Sequence, residues 1–330
     1  MELDGGEVLR RQHALRSGIA DHEIRGLYTR AGWRRLGHGA YVAESAFTGL
    51  DQHAKHRLLL DATLPALSSD SVLSHQSVAV AYGLPIRGLP LDAVHVTRDR
   101  ETGNRVRPTL NVHCSPLGGE VVELDGRLLT TPARMIVDLG RTAPLEAVLV
   151  TADAAVREFG VTASDLAIEL ERAKNRSGIA AARRLVDLVD GHSESVGESL
   201  SRLMLRSFGF TGFKTQGNVY LEHGRLLGRV DFYDEELGVL GEFDGEVKYG
   251  RLLKPGQDPG EVVFREKQRE DAMRDPGFQM ARWIWRELDK PATAARIERA
   301  LERGRASSKP IGYIVQAPLP TPRRLVRRSL

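Results

Sequence analysis

Between Leu240 and Lys248, Glu242, Asp244, Glu246 and Lys248 fall on one face of an extended chain, with Phe243 and Val247 on the other. A period of two fits a β-strand and not a helix. Eleven residues before Glu242, Val230 and Phe232 flank Asp231 in a second stretch of the same period. Two such strands would set Asp231 beside the row of acids on one side of a sheet. Like charges at i, i+2 and i+4 repel, and a sheet keeps them only where a cation or arginines offset the field. Hard Mg²⁺ or Mn²⁺ takes carboxylate oxygens, keeps several waters and leaves room for phosphate. A helix-like run, Glu261 to Arg274, follows with Arg265, Lys267 and Arg269.

Asp231, the ten-residue spacer, Glu242 and the nearby Lys248 resemble the PD-(D/E)xK nuclease superfamily. More narrowly, Arg229-Val230-Asp231-Phe232 and Glu242-Phe243-Asp244-Gly245 are similar to the RxDF and ExDG elements of small endonuclease-like domains related to very-short-patch repair enzymes. The basic helix and Arg282-Trp283-Ile284-Trp285 fit the same pattern, which covers roughly residues 194–301. The resemblance implies a restriction-endonuclease-like mixed sheet flanked by helices, and Mg²⁺-dependent hydrolysis of phosphodiester bonds in DNA. Asp231 and Glu242 are then the metal ligands and catalytic acids, with Asp244 and Glu246 as further carboxylates on the metal. Lys248 steadies the developing charge or orients the nucleophile, and Arg265, Lys267 and Arg269 clamp flanking phosphates. An acid on the opening helix often joins such a site, and Glu198 holds that position. Ser195-x-x-Glu198 is equally a capping box.

One departure concerns turnover. The superfamily's simplest form has lysine two residues after the glutamate, where this chain has Asp244. Either Lys248 reaches back, over about 13 Å of strand, or Glu246-Val247-Lys248 is itself the E-x-K element and Glu242 an auxiliary acid. A domain that kept the fold and lost catalysis is the alternative.

The 330 residues suffice for two or three domains, at roughly 100 to 200 residues each. The single cysteine, Cys114, excludes an internal disulfide framework and suits a reducing cytoplasm. No signal-peptide-like apolar core opens the chain, and Ala143–Val156, the longest apolar stretch, is interrupted by Glu146 and Asp153, so a cytoplasmic protein with no membrane span is expected. The net charge of +3 conceals an asymmetry: seven Lys/Arg and no acid lie between Arg303 and Leu330. With Pro310, Pro318, Pro320 and Pro322, residues 304–330 read as a basic tail, extended or disordered, that touches phosphate backbone or is simply solvated.

From the start, Glu7–Arg16 reads as a helix, broken at Ser17-Gly18, and Asp21 as the N-cap of a second helix, Glu23–Ala31. Gly37-His38-Gly39 then turns into a short strand, Tyr41-Val42. Helix, turn, helix and glycine-turned strand is the order of a winged helix-turn-helix over residues 1–48. Arg25, Arg30, Arg34, Arg35 and His38 put positive charge where a recognition helix and wing meet DNA. A basic solvated face is the plainer reading.

Trp33-Arg34-Arg35-Leu36-Gly37-His38-Gly39-Ala40-Tyr41, Leu73-Ser74-His75-Gln76-Ser77-Val78-Ala79 and Thr130-Thr131-Pro132-Ala133-Arg134-Met135-Ile136-Val137-Asp138-Leu139 are similar to actinobacterial AbiEi-like antitoxins of type IV toxin–antitoxin systems. That resemblance, over about the first half of the chain, implies a DNA-binding regulator with a toxin partner that the sequence does not identify.

Residues 49–190 read as a mixed α/β domain, with helices at 52–67 and 74–82, strands at 93–97 and 110–114, and a third strand region at 121–129 turning at Asp125-Gly126. Thr131-Pro132 starts a helix. His75, His95, His113 and Cys114 have no zinc-ligand spacing and read as scattered structural residues. Neither a Walker loop nor G-x-G-x-x-G is present, so no nucleotide cofactor is implied. Residues 191–303 form the nuclease-like domain, closed by a helix at 292–304 with Gly304 as its cap. The chain as a whole is expected to be an α+β or α/β multidomain protein.

Overall fold

The computed structural model describes residues 8–30, 32–245 and 259–329. The chain divides into two compact units, one of Met1–Ala155, Phe159–Leu188 and Arg323–Leu330, the other of Val156–Glu158 and Val189–Pro322.

The first unit opens with β1 (Leu9–Arg10), α1 (Arg11–Arg16) and α2 (Asp21–Arg30), followed by a hairpin of β2 (Trp33–Gly37) and β3 (Ala40–Ala43). The strands pair antiparallel in the order β1-β3-β2. Leu9, Ala14, Ile24 and Tyr41 pack beneath them, and Tyr28 stacks on Tyr41 with ring centroids 4.9 Å apart. Leu9–Arg10 is therefore a strand rather than the first turn of a helix, because Leu9 and Arg10 pair with Tyr41 and Ala40. Asp21 lies inside α2 instead of capping it.

Next come α3 (Glu44–Thr48), α4 (Gln52–Thr63), β4 (Ser71–Leu73), α5 (His75–Ala81), β5 (Val94–Arg98), β6 (Arg105–Arg107), β7 (Leu110–Cys114), β8 (Glu120–Leu124) and β9 (Arg127–Leu129). Four helices follow: α6 (Pro132–Thr142), α7 (Leu145–Phe159), α8 (Ala163–Arg172) and α9 (Ile179–Val186). Asp125 and Gly126 carry φ of 51° and 70°, as a type I′ turn requires, so the expected third strand is a β8/β9 hairpin. The Thr131 hydroxyl accepts the Arg134 N–H and starts α6, which is buried from Pro132 to Gly140. Residues 1–48 and nearly all of 49–190, expected as separate domains, fall in one unit, with 156–158 and 189–190 in the other. Leu36, Val42 and Ala62 share one cluster with Phe47 and Leu58, so the hairpin and α4 bury the same apolar surface.

The second unit holds α10 (Val196–Ser207), β10 (Lys214–Leu221), β11 (Leu226–Asp234), β12 (Val239–Asp244), α11 (Pro259–Arg274), β13 (Gln279–Ile284), α12 (Pro291–Ala306) and β14 (Gly312–Gln316). Its sheet runs β13-β12-β11-β10-β14. β10, β11 and β12 form an antiparallel meander, whereas β12 and β13 are parallel, a pairing that needs the crossover α11 supplies. Phe232, Phe243, Ala281 and Trp283 pack with Met204, Leu205, Ile297 and Leu301. Val230, Tyr233, Leu240 and Met280 pack with Met273 of α11. Trp283 donates its indole N–H to Ser201 at 2.8 Å, and Trp285 sets its ring edge-on to Phe243, so both are packing residues.

The basic tail is the largest correction. β14 pairs with β10, and β15 (Val326–Ser329) pairs with β8 in the seven-stranded sheet β15-β8-β9-β4-β5-β7-β6. Pro310, Pro318, Pro320 and Pro322 all fall outside these strands, where a missing N–H breaks no ladder. Gly304 sits within α12, not at its end. Among the described residues no helix is long and apolar enough to cross a membrane.

One contact sets how closely α10 approaches the sheet. A Cβ on Gly197 would lie 1.9 Å from the Phe243 ring. Helix propensity alone favours alanine there by about 1 kcal/mol, but the clash forces the ring out of its packed position. Gly197→Ala is therefore expected to destabilise the protein by about 1–3 kcal/mol in urea unfolding.

Candidate functional site

The antiparallel register pairs Phe232 with Gly241, and one step further Asp231 comes level with Glu242. Opposed residues on one sheet face have Cβ atoms roughly 4.5–5.5 Å apart. Asp231 is half-buried, and its Oδ2 accepts the Phe243 N–H at 2.9 Å. Glu242 is 4 % exposed. On the parallel side Glu242 is level with Arg282 of β13, and Asp244 with Ile284. On the other side, Gln216 of β10 falls between two residues registered to Phe232 and Val230, level with Asp231. Glu242 and Arg282 are paired positions, and carrying the registers on by one residue puts Asp231 and Gln216 in line with them.

Glu242 is held by two guanidinium groups: Arg269 Nη2 at 2.6 Å from Oε1 and Arg282 Nη2 at 2.6 Å from Oε2. Arg282 also lies 3.4 Å from Glu270 and 4.0 Å from Asp244. Carboxylates on neighbouring strands are the donors a hard divalent ion takes. Here both Glu242 oxygens are taken by guanidinium groups, so a cation would bind only by displacing at least one of them. Arg269, expected as a phosphate clamp, instead bridges Glu242 and, through Nη1, the Arg229 carbonyl.

Glu198 takes three donors: the Ser195 hydroxyl, the Glu194 N–H and the Gln216 amide at 2.7 Å. The Ser195 hydroxyl accepts the Glu198 N–H in turn, which is one half of the expected capping box; the other half differs, because the carboxylate takes the N–H of Glu194 rather than of Ser195. Gln216 escaped the sequence reading. It is 2 % exposed, has φ of +56° within a strand, and its amide oxygen has no hydrogen-bond partner among the described residues. A non-glycine residue at positive φ stores strain that clusters at functional sites. No periodicity or motif signals it.

Lys248 and Glu246 lie outside the described residues. Arg265 and Lys267 are exposed on α11, with Arg265 3.2 Å from Glu261. In the first unit Arg25 on α2, Arg34 and Arg35 on β2 and His38 at the hairpin tip are exposed, and Arg30 is near the end of α2. Arg34 is committed to a two-pronged pair with Glu44 and lies 4.6 Å over the Phe47 ring. The Arg35 Nε donates to the Gly37 carbonyl.

The histidines that look scattered in sequence converge. His75, His95 and His113 bring one ring nitrogen each to within 4.8 Å of one another. β5 and β7 are parallel neighbours carrying His95 and His113, and His75 opens α5. Sequence spacing carries no sign of this, because β-pairing across a crossover sets it. Burial pushes His75 and His95 down to about 3.

No family profile matches the chain. It is 30 % identical over 217 residues to the uncharacterized protein Rv2248 of Mycobacterium tuberculosis (strain ATCC 25618 / H37Rv), covering 64 % of this chain and 75 % of the relative. The uncharacterized protein MT2308 of Mycobacterium tuberculosis (strain CDC 1551 / Oshkosh) matches over the same shares.

Two outcomes follow from these charges. Glu242→Ala leaves two half-buried guanidinium groups without their common partner. Their partial exposure brings the cost to about 2–3 kcal/mol in urea unfolding, below the 3–5 of a fully buried pair. The histidines act on pH dependence. Their folded values are lowered from 6.5 to about 3, so between those values the unfolded chain binds protons the folded chain refuses. Stability is thus fully present above pH 6.5 and falls as pH drops through that window, by up to about 1.4 kcal/mol per pH unit for each histidine. Urea midpoints measured from pH 7.5 down to 4 test the sign.

Proposed function

We propose, for a chain that belongs to the family of the uncharacterized mycobacterial protein Rv2248, a DNA-binding protein whose second unit hydrolyses phosphodiester bonds with a divalent metal ion. The observation that carries this reading is the register of β11 and β12: it ends with Phe232 opposite Gly241, so Asp231 and Glu242 are the next residues of adjacent strands, with Asp244 one pleat on. Asp231, Glu242 and Asp244 are the residues that would hold Mg²⁺ or Mn²⁺. When bound, that ion polarises a phosphoryl oxygen and lowers the pKa of a water. The order helix, three antiparallel strands, crossover helix and parallel strand supports a PD-(D/E)xK-like arrangement of the unit. The chain's own contributions are orientation and charge. The Phe243 N–H fixes the Asp231 carboxylate, Arg269 and Arg282 fix Glu242, and Glu198 is tied through Gln216 to the strand beside Asp231. Exposed Arg265 and Lys267 offer point charges to flanking phosphates.

In the first unit, the succession α1, α2 and a two-stranded hairpin supports a winged helix-turn-helix reading. Arg25 and the hairpin-tip His38 are its exposed contacts, while Arg34 reaches phosphate only by leaving Glu44.

The doubly paired Glu242 favours a second reading, a DNA-binding regulator of the antitoxin kind in which the carboxylate row is a structural ion-pair lattice. Relaxation of supercoiled plasmid by the purified chain in Mg²⁺ and in Mn²⁺ separates the two. Hydrolysis is expected with either ion. Asp231→Asn and Glu242→Gln should lower it by about a hundredfold or more, at or beyond the top of what even indirect metal-site partners cost. Folded protein that binds DNA with the usual salt dependence yet never nicks it would make the regulator the correct reading.

A further inference from the structure

The first unit contains a cavity of about 70 Å³ that the proposed nuclease reading does not use. Its lining includes His75, His113 and Thr97 together with Arg134, Arg141, Arg176 and Asp138. Three guanidinium groups against one carboxylate leave the lining with two net positive charges. Asp138 is already satisfied, by Arg134 Nε at 2.7 Å and Arg141 Nη1 at 3.2 Å. The Nη2 of Arg141 enters neither that pair nor the Nε bond to the Ser177 carbonyl, and among the described residues the Arg176 guanidinium hydrogen-bonds only the Cys114 carbonyl, at 3.4 Å through Nη1.

Hydrogen bonds fix the histidine tautomers. Gln76 Nε2 donates to the Pro90 carbonyl, which identifies it as the amide nitrogen, and so it also donates to His95 Nε2 at 2.8 Å. His95 therefore carries its proton on Nδ1, and donates to His113 Nε2 at 3.0 Å. His113, kept neutral by burial, is left with a proton on Nδ1. Both ring nitrogens of His95 are thereby occupied. His75 and His113 stack at 3.9 Å with planes 18° apart, so their in-plane lone pairs run nearly parallel and do not converge on one ion. The three histidines are close, but their geometry is that of a hydrogen-bonded relay rather than of a metal shell. Thr97 provides the independent sign of a ligand: it is 1 % exposed, and its hydroxyl has no partner among the described residues. A buried hydroxyl left unpaired carries its full desolvation penalty unless a ligand accepts its hydrogen bond.

We propose that this cavity binds a small oxyanion of the phosphate class, either free phosphate or the phosphoryl group of a small phosphomonoester, through Arg141, Arg176 and the Thr97 hydroxyl. An oxyanion supplies acceptors to each of these donors and offsets the surplus charge.

Calorimetric titration of the full chain with inorganic phosphate, and separately with ribose 5-phosphate, tests this. Saturable one-to-one binding of at least one is expected. Tighter binding of the ester identifies a phosphomonoester as the ligand, and equal or weaker binding identifies free phosphate. Thr97→Val and Arg176→Gln should each weaken binding by about tenfold. Thr97→Val should leave the melting temperature of the unliganded protein unchanged or raised, because it removes an unpaired polar group. Absence of saturable heat from both probes, or unchanged affinity in Thr97→Val, would overturn the assignment. So would stoichiometric Co²⁺ binding with a visible spectrum that is lost in His95→Gln and kept in Thr97→Val, since the three histidines would then form a metal centre.

Discussion

A carboxylate buried in a sheet survives only with positive charge at contact distance, and Glu242 has it twice. The partners come from different elements: Arg269 from the crossover helix and Arg282 from the parallel strand. Removing charge from water costs several kcal/mol per ion, repaid only with good geometry on all sides. The double pair therefore fixes where α11 lies against the sheet and how β13 registers on β12. The acidic row, the helix after it and the returning strand form one electrostatic unit.

Around that unit the sheet departs from regularity at Gln216 as well as at the register shift between Val219 and Tyr220. Gln216 takes a positive φ beside Asp231 and spends its amide nitrogen on Glu198. Capping of α10 and the row of acids are thereby coupled, since Glu198 serves the helix start and the strand together. The two roles the sequence allowed for Glu198 are not exclusive in space. The Ser195 half of the capping box is present, and the same carboxylate is one hydrogen bond from the residue level with Asp231.

What was legible in the sequence is what local rules determine. Alternation marked β11 and β12, the threonine-proline pair marked α6, and Asp125-Gly126 marked its hairpin. The edge strands β14 and β15 escaped because their evidence lies elsewhere in the chain. β14 alternates over five residues among prolines and charges, and only its pairing with β10 and the burial of Ile314 make it a strand. The same holds for the sites. Asp231 and Glu242 are eleven residues apart across one turn, so their meeting is readable from period and spacing. The partners that neutralise Glu242 are twenty-seven and forty residues downstream and carry no marker beyond being basic. His75, His95 and His113 meet through a parallel pairing that no short-range pattern encodes.

Both units use one device: a buried acid bridged by two arginines, Asp138 by Arg134 and Arg141, Glu242 by Arg269 and Arg282. By itself that device is structural, and it says nothing of function. The charge standing beside it separates the two cases. Next to Asp138 a third guanidinium, Arg176, lines a cavity that the unpaired Thr97 hydroxyl also lines, so the surplus is positive and suits an anion. Next to Glu242 stand Asp231 and Asp244, so the neighbouring groups are negative and suit a cation. There the acids share their arginine: Arg282 pairs with Glu242 and lies 3.4 Å from Glu270 and 4.0 Å from Asp244, so arginine already offsets part of the field the row sets up, and a metal ion would bind by taking an arginine's place.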